Sequence, residues 1–522
     1  MATLVAPLEA QLAAQQTTRR RDVAFASLLV SGLTLFAVAI HGYHPYAEDG
    51  GLYLAGVQRL LAPALYPHAT AFVLEPTQRS LFAALVASIV RLSHLPLPAV
   101  LLALHLATIW TTLFAAWMLA ARCWSARTAQ AGAVVLLACW LALPVAGTAL
   151  LLMDPYLTAR SLSTPCMVLA LVAALDATNP TASRAIRWRS LAIGFGSLVL
   201  ATAMHPLMAA YALGATLLLL TLRSSNPRIR TWGTASLSAA AVLVATVLQT
   251  VARPESTDYV RAALTRTYWF PAEWAWYELL GLAAPLAILA LAALRAPQGP
   301  RRSLHHMALV LGATAWLIAT VFSRAETATH LVARMQPLRA FQSVYLLMIL
   351  TLGAALGEAI LRRSTWRWIA TPFLLGGILF GTACAAFPNS NHLELPWTVP
   401  RNLWTQAFVW VRANTPQDAL FALDADYINA PGEDAQCFRA IAERSALPDY
   451  SKDGGEASIA PGLTPAWTQG QAVQQHLSEL TDATRVAALA PLRVSWIVLK
   501  SKAVTEFDCP YQNAAVEVCR LP

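Results

Sequence analysis

Residues 41–56 read HGYHPYAEDGGLYLAG, and they decide how the rest of the chain is understood. They follow directly on the apolar run Val23–Ile40 and place two adjacent carboxylates, Glu48 and Asp49, just past its end. Tyr43, His44 and Tyr46 precede the pair, and Gly50 and Gly51 follow it. An apolar span that opens into an acidic loop flanked by aromatic residues puts ionisable groups where lipid headgroups lie.

The composition fits a membrane setting. Of the 522 residues, 57% are hydrophobic and 12% charged, against about 25% charged in ordinary soluble domains, and the mean hydropathy is +0.51. We therefore expect an α-helical polytopic membrane protein. A spanning helix needs about 20 apolar residues. After 23–40 the candidates are 96–121, 129–152, 156–176, 190–204, 206–222, 232–251, 274–294, 305–322, 341–361 and 367–387, about eleven in all. The run 23–40 is long and has no small-residue cleavage site, so it reads as a retained helix rather than a signal peptide.

Arginines set the expected orientation. With residues 1–22 as a cytoplasmic tail ending in Arg19, Arg20 and Arg21, every inner segment carries at least two arginines: Arg122 and Arg127; Arg184, Arg187 and Arg189; Arg223, Arg228 and Arg230; Arg295, Arg301 and Arg302; Arg362, Arg363 and Arg367. This is the positive-inside pattern. The formal net charge of +9 is thus spread through topology signals and forms no basic face for nucleic acid. The outer side then holds the loop 41–95, the short segment 153–155, a turn at His205, the segments 252–273 and 323–340, and everything from 388 onward. Within the first loop, SLFAALVASIVRLSH (80–94) is apolar but short and carries Arg91 and His94, which suits a helix lying in the interface.

Beyond Pro388 the composition becomes that of a soluble domain, and all three lysines, Lys452, Lys500 and Lys502, occur there. Residues 388–522 read as a small extracytoplasmic α/β domain. Its expected helices are Arg401–Ala413, Gln436–Arg444 and Gln471–Leu480, and its expected strands are Ala419–Leu423, Ser495–Leu499 and Val516–Arg520. The seven cysteines form no CxxC pair and no zinc spacing. Cys509 and Cys519 are placed to bridge in an oxidising compartment.

Glu48 and Asp49 lead the candidate site residues. A carboxylate there can act as general base toward an acceptor hydroxyl or amine, or hold a divalent cation against phosphate oxygens. Asp49 can equally cap the helix that starts near Leu52. Asp154, in MDPYLTARSLSTP (153–165), is either a second acid facing Asp49 or the cap of the next span, since Asp followed by Pro is a helix-start signature. Arg160 lies inside that span and either faces a cavity or snorkels to the surface. His205, with Pro206, interrupts a long apolar run, and the histidine is a plain turn residue or a donor to substrate. The segment SRAETATHLVARMQPLRA (323–340) offers Arg324, His330, Arg334 and Arg339, of which Arg334 is the choice for phosphate, because guanidinium binds such oxygens bidentately. Arg253, Arg261 and Arg266, followed by Tyr268, Trp269 and Phe270, read as an interfacial anchor. No Walker loop, GxSxG elbow, HExxH or dinucleotide fingerprint is present, which argues against a soluble-nucleotide enzyme.

An inside N-terminus, YAEDGGLY (46–53) in a long first outer loop, a further acid in Met153–Pro165 and an outer C-terminal domain together resemble the GT-C superfamily of membrane glycosyltransferases. That group includes protein O-mannosyltransferases and the aminoarabinose transferases of lipid A. The stretch WVRANTPQDA (410–419) is similar to the outer domains of bacterial members. The resemblance implies an enzyme of a bacterial inner (plasma) membrane that takes a sugar from a polyprenyl-phosphate donor and transfers it, with inversion, to a lipid, glycan or protein acceptor at the outer face. It implies Asp49, Glu48 and Asp154 as catalytic acids. Asp49 and Asp154 would ligate Mg or Mn if a metal is used, although the first loop has adjacent Glu-Asp rather than a separated DxD. Arg160, His205, Arg334, His44 and Tyr46 are the expected substrate contacts. A catalytically inactive scaffold subunit, or a flippase for a lipid-linked substrate, is the alternative reading.

Overall fold

The computed structural model describes residues 2–522, with side chains from Arg21 onward. Arg19 and Arg20, part of the tail expected over 1–22, lie outside the described side chains. The first span is carried by α1 (Ala2–His41). A surface group follows: α2 (Glu48–Leu61), α3 (Thr70–Gln78) and α4 (Phe82–Ser93). Then come α5 (Leu97–Cys123), α6 (Arg127–Cys139), α7 (Ala159–Ala177), α8 (Arg184–Met204), α9 (Pro206–Leu222), α10 (Thr234–Val251), α11 (Thr257–Leu264), α12 (Trp276–Arg295), α13 (Pro300–Phe322), α14 (Leu331–Arg334), α15 (Phe341–Leu356) and α16 (Thr365–Ala386).

Among the described residues, eight helices are long and apolar enough to cross a membrane, and the chain is a multi-pass helical membrane protein. Each of the eleven expected spans contains a helix, but three of these helices are not among the eight. α6 has 13 residues and α9 has 17. α8 is long enough but opens with Arg184, Arg187 and Arg189.

The expected span 129–152 is corrected most. Its helix stops at Cys139, and Trp140–Thr158 is irregular. Pro144 has no N–H and cannot continue a helix. The chain instead doubles back, with Val145 N donating to Leu150 O at 2.8 Å and Met153 N to Leu141 O at 2.8 Å. Its backbone groups are satisfied inside the protein, the condition for non-helical chain at membrane depth. α6 itself runs close against α15. A Cβ at Gly353 would stand 2.5 Å from Gly132 O, so glycine lets these two backbones touch.

From Asn389 onward the chain builds a second layer. Asn402 caps α17 (Leu403–Asn414), its Oδ1 accepting from Trp404 N at 2.9 Å and Thr405 N at 3.1 Å. The sheet contains β1 (Leu420–Ala422), β2 (Ser445–Ala446), β3 (Trp496–Lys500), β4 (Tyr511–Gln512) and β5 (Val516–Arg520) in the order β2-β1-β3-β5-β4. β1 runs parallel to β2 and β3, while β5 pairs antiparallel with β3 and β4. The helices are α18 (Phe438–Ala442), α19 (Lys452–Ile459), α20 (Thr464–Gln474) and α21 (Asp482–Leu489). The helix expected over 471–480 is α20, shifted toward the N-terminus, with Pro465 in its first turn. A disulfide joins Cys509 and Cys519.

This layer is not the separate module that its composition suggests. Leu54 and Val57 of α2 and Phe82 and Val86 of α4 share one core with Trp404, Phe408, Phe421 and Phe438. The apolar face of α4, expected to lie in the interface, is thus spent partly on the C-terminal domain.

Candidate active site

A cavity of about 1010 Å³ lies where the first loop, the irregular stretch before α7 and the C-terminal domain meet. Its walls include Glu48, Asp49 and Tyr53 from α2, Asp154 and Arg160, His205, Arg334 to Gln336 with Arg339, and Lys452 and Glu456 from α19.

The glycines of the first loop have a specific use. A Cβ at Gly50 would lie 2.9 Å from Tyr156 Cβ, and one at Gly51 would lie 2.7 Å from Cys437 Sγ. The pair lets α2 wedge between the stretch before α7 and the C-terminal domain. That domain also grips the loop: Glu48 N donates to Ala435 O at 2.8 Å, and Cys437 N donates to Tyr46 O at 3.0 Å. Glu48 is held at φ 53°, a left-handed conformation unfavourable for a non-glycine residue.

Neither aspartate is a helix cap. α2 is preceded by Ala47 with no side-chain cap, and Thr158 caps α7 in a capping box with Ser161. Asp154 instead receives Arg160 Nη2 at 2.6 Å, with both side chains almost fully buried, and Arg160 Nη1 stands 3.7 Å from Asp49 Oδ2. Arg160 therefore bridges the two acids rather than snorkelling. Lys452, at the start of α19, comes within 3.5 Å of Asp49 Oδ1 and also pairs with Glu48.

Burial pushes Asp49 up, but Lys452, Arg160 and Arg339 outweigh it and hold the carboxyl at about 2, so it is ionised. Burial raises Asp154 above the ordinary carboxyl range, with Arg160 opposing and Asp49 adding to the rise. Burial alone would lower Lys452, yet Glu48 and Asp49 reverse that and hold its ammonium above the usual value.

The cationic wall comes from two places. Arg334 and Arg339 both line the cavity, and the buried Nε of Arg339 has no partner among the described residues. Gln336 between them is buried, with its Oε1 also unpartnered. His205 caps α9, its Nδ1 accepting from Met208 N at 3.3 Å, which leaves the proton of the neutral ring on Nε2. Arg266 is no interfacial anchor. It is buried and donates to Ser451 O at 2.8 Å and Tyr450 O at 3.2 Å, fixing the start of α19.

Two expected contacts lie elsewhere. His44 is fully buried and stacked on Phe387 at 4.0 Å, and its N–H donates to Pro155 O at 2.8 Å. Tyr46 packs against the core shared with the C-terminal domain. The turn at Pro45 directs both away from the cavity, and they brace the loop. The cavity thus brings together Glu48, Asp49, Asp154, Arg160, His205 and Arg334 of the expected residues. Lys452, Glu456 and the central place of Arg339 were not anticipated.

The acidic pair fits a divalent cation poorly. Asp49 presents one oxygen to Lys452 and the other to Arg160, and Asp154 is hydrogen-bonded to the same arginine. These cations already balance the carboxylates that a metal would need.

No protein-family model matches the chain, and no curated protein matches it in sequence. Among solved structures, 95% of the chain superposes on the arabinofuranosyltransferase AftD from Mycobacteria, with a TM-score of 0.50 and 15% identity. The chain has a GT-C fold. It spans 41% of the length of that neighbour. At this identity the likeness establishes the fold alone.

Proposed function

We propose that this GT-C protein transfers a glycosyl group from a polyprenyl-phosphate donor to an acceptor hydroxyl on a lipid, glycan or protein, at the outer face of a bacterial inner membrane. The observation that carries this reading is Asp49, bridged by Arg160 to Asp154, in a large cavity whose other wall holds Arg334 and Arg339. The two arginines receive the donor phosphate through charge-assisted hydrogen bonds and stabilise it as it leaves. Asp49 orients the acceptor hydroxyl toward the anomeric carbon from the face opposite the phosphate. That approach inverts the anomeric configuration.

Arg160 and Lys452 keep Asp49 charged and fixed in place, and His205 Nε2–H is a neutral donor suited to a sugar oxygen. The solved neighbour is named an arabinofuranosyltransferase, so a pentofuranosyl donor is the first to try.

The test uses the full chain in lipid nanodiscs, supplied with a membrane lipid extract from its own organism. Mass spectrometry follows the glycosylated polyprenyl phosphates. Their conversion to free polyprenyl phosphate by the wild type, but not by Asp49→Asn, supports the reading. Unchanged glycolipids with both proteins would overturn it and favour an assembly subunit or a flippase.

A further inference from the structure

Glycosyl transfer to a hydroxyl releases a proton, and the arrangement around Asp49 makes that residue a poor place for it. Both of its carboxylate oxygens face cations, Lys452 on one side and Arg160 on the other. A second carboxyl in the same cavity makes no direct ion pair with any described residue. Glu456 is carried by α19 of the C-terminal domain, five residues beyond Ser451, whose carbonyl Arg266 grips together with that of Tyr450, and it lines the cavity wall. Its side chain is buried, at 8% exposure, yet it makes no hydrogen bond with any described residue. Its carboxylate opens onto the cavity, where a ligand can supply the hydrogen-bond partner that the described residues do not.

Building on the transferase reading, we infer that Glu456 is the base that takes the proton of the acceptor hydroxyl, so that the C-terminal domain supplies part of the catalytic machinery. The acceptor oxygen forms its bond to the anomeric carbon, and the bond from that carbon to the phosphate oxygen breaks. The bonding pair leaves with the phosphate, held by Arg334 and Arg339, and the acceptor proton passes to the Glu456 carboxylate. Asp49 stays ionised throughout and orients the hydroxyl.

The charged and titratable groups facing Glu456 are Glu75 on α3 and Arg79 just past its end, Asp49 and Tyr53 on α2, Asp453 on its own helix, and Arg266 beside Gly455. Burial pushes its carboxyl up, Arg79 pulls it back, and Asp49, Asp453 and Glu75 add to the rise, leaving it at about 8. A base is most effective when its pKa lies near the working pH. A carboxyl at about 8 meets that condition and one at about 2 does not. The sign follows: Glu456 is protonated and inactive as a base below about 8, and it becomes competent as pH rises through that value.

The experiment follows glycolipid turnover by the full chain in nanodiscs between pH 6 and 10, with wild type, Glu456→Gln and Glu456→Asp. Wild-type kcat is expected to climb close to tenfold per pH unit and to level off above about 8. Glu456→Gln is expected to lose kcat by about a hundredfold or more, with the donor KM within about threefold and the ascending limb gone. Glu456→Asp should keep the limb at reduced height. Independently of turnover, dicyclohexylcarbodiimide, which reacts with protonated carboxyls, should label Glu456 at pH 6 and fail to do so at pH 10, as mapped by mass spectrometry. A Glu456→Gln protein that keeps the limb and a kcat within about threefold of wild type, or a Glu456 that resists labelling at pH 6, overturns the assignment while leaving the transferase reading intact. A wild type that turns over no glycolipid removes the transferase reading, and this inference falls with it.

Discussion

Arg160→Met removes the guanidinium standing between Asp154 and Asp49. The Arg160 and Asp154 side chains are 7% and 3% exposed, with a 2.6 Å hydrogen bond between them. At an effective dielectric of 20, unit charges at that separation attract by about 6 kcal/mol. Desolvation of both groups offsets much of this, and removing one partner of such a buried pair costs about 3–5 kcal/mol. Methionine keeps most of the aliphatic volume, so packing loss adds little.

The cost should depend on pH in a fixed direction. Burial already raises Asp154, and Arg160 is the strongest influence holding it down. Without Arg160 its folded-state pKa climbs further above the unfolded value, so stability is present at acid pH and is lost as pH rises through the folded pKa. Thermal unfolding followed by tryptophan fluorescence in nanodiscs should show the variant melting well below wild type at pH 7.5, with the gap narrowing toward pH 4. Adding Asp154→Asn should recover most of the loss, because it removes the stranded charge. A variant as stable as wild type at pH 7.5, or a gap that does not change with pH, would refute the reasoning.

Other expectations follow from single contacts. Lys452→Met takes away the largest charge opposing the burial of Asp49, so that carboxyl should rise from about 2 and react with carbodiimide at pH 5, where wild type does not. Gly353→Val would drive a side chain into Gly132 O and Ala133 Cα, 2.5 and 2.8 Å from the new Cβ; a loss of about 1–3 kcal/mol is expected, read as a lower melting temperature. Replacing Cys509 and Cys519 by serine opens a loop of sequence separation 10, which should cost the C-terminal domain about 3 kcal/mol and show as faster hydrogen exchange in β3 and β5.

The helical membrane architecture was legible because apolar runs separated by arginine clusters are a direct physical record of spans and loops. The strand Val516–Arg520 was read residue for residue, and β1 and β3 to within a residue at each end. What failed was continuity. An apolar composition over 129–152 says nothing of Pro144 turning the chain, and the result is the irregular wall that carries Asp154. At the site, local signals gave the first loop and the acid–arginine pair, although the caps they suggested are supplied by other residues. Lys452 and Asp49 are 403 positions apart, and no periodicity or motif connects them. α19 was invisible for a related reason. Its sequence KDGGEASI holds two adjacent glycines, which disfavour a helix, and the helix exists because Arg266 and the Arg439–Asp453 pair anchor it. Gly454 in turn leaves room for Arg266, whose Nη2 would stand 3.1 Å from a Cβ there.

The most direct test of a lipid-phosphate sugar in this cavity is mass spectrometry of the molecules retained by the purified full chain, comparing wild type with Asp49→Ala, Arg334→Ala and Arg339→Ala. A polyprenyl-phosphate sugar is expected on the wild type, lost from the two arginine variants and accumulated unreacted on Asp49→Ala. The same ordinary phospholipids on all four proteins would contradict it.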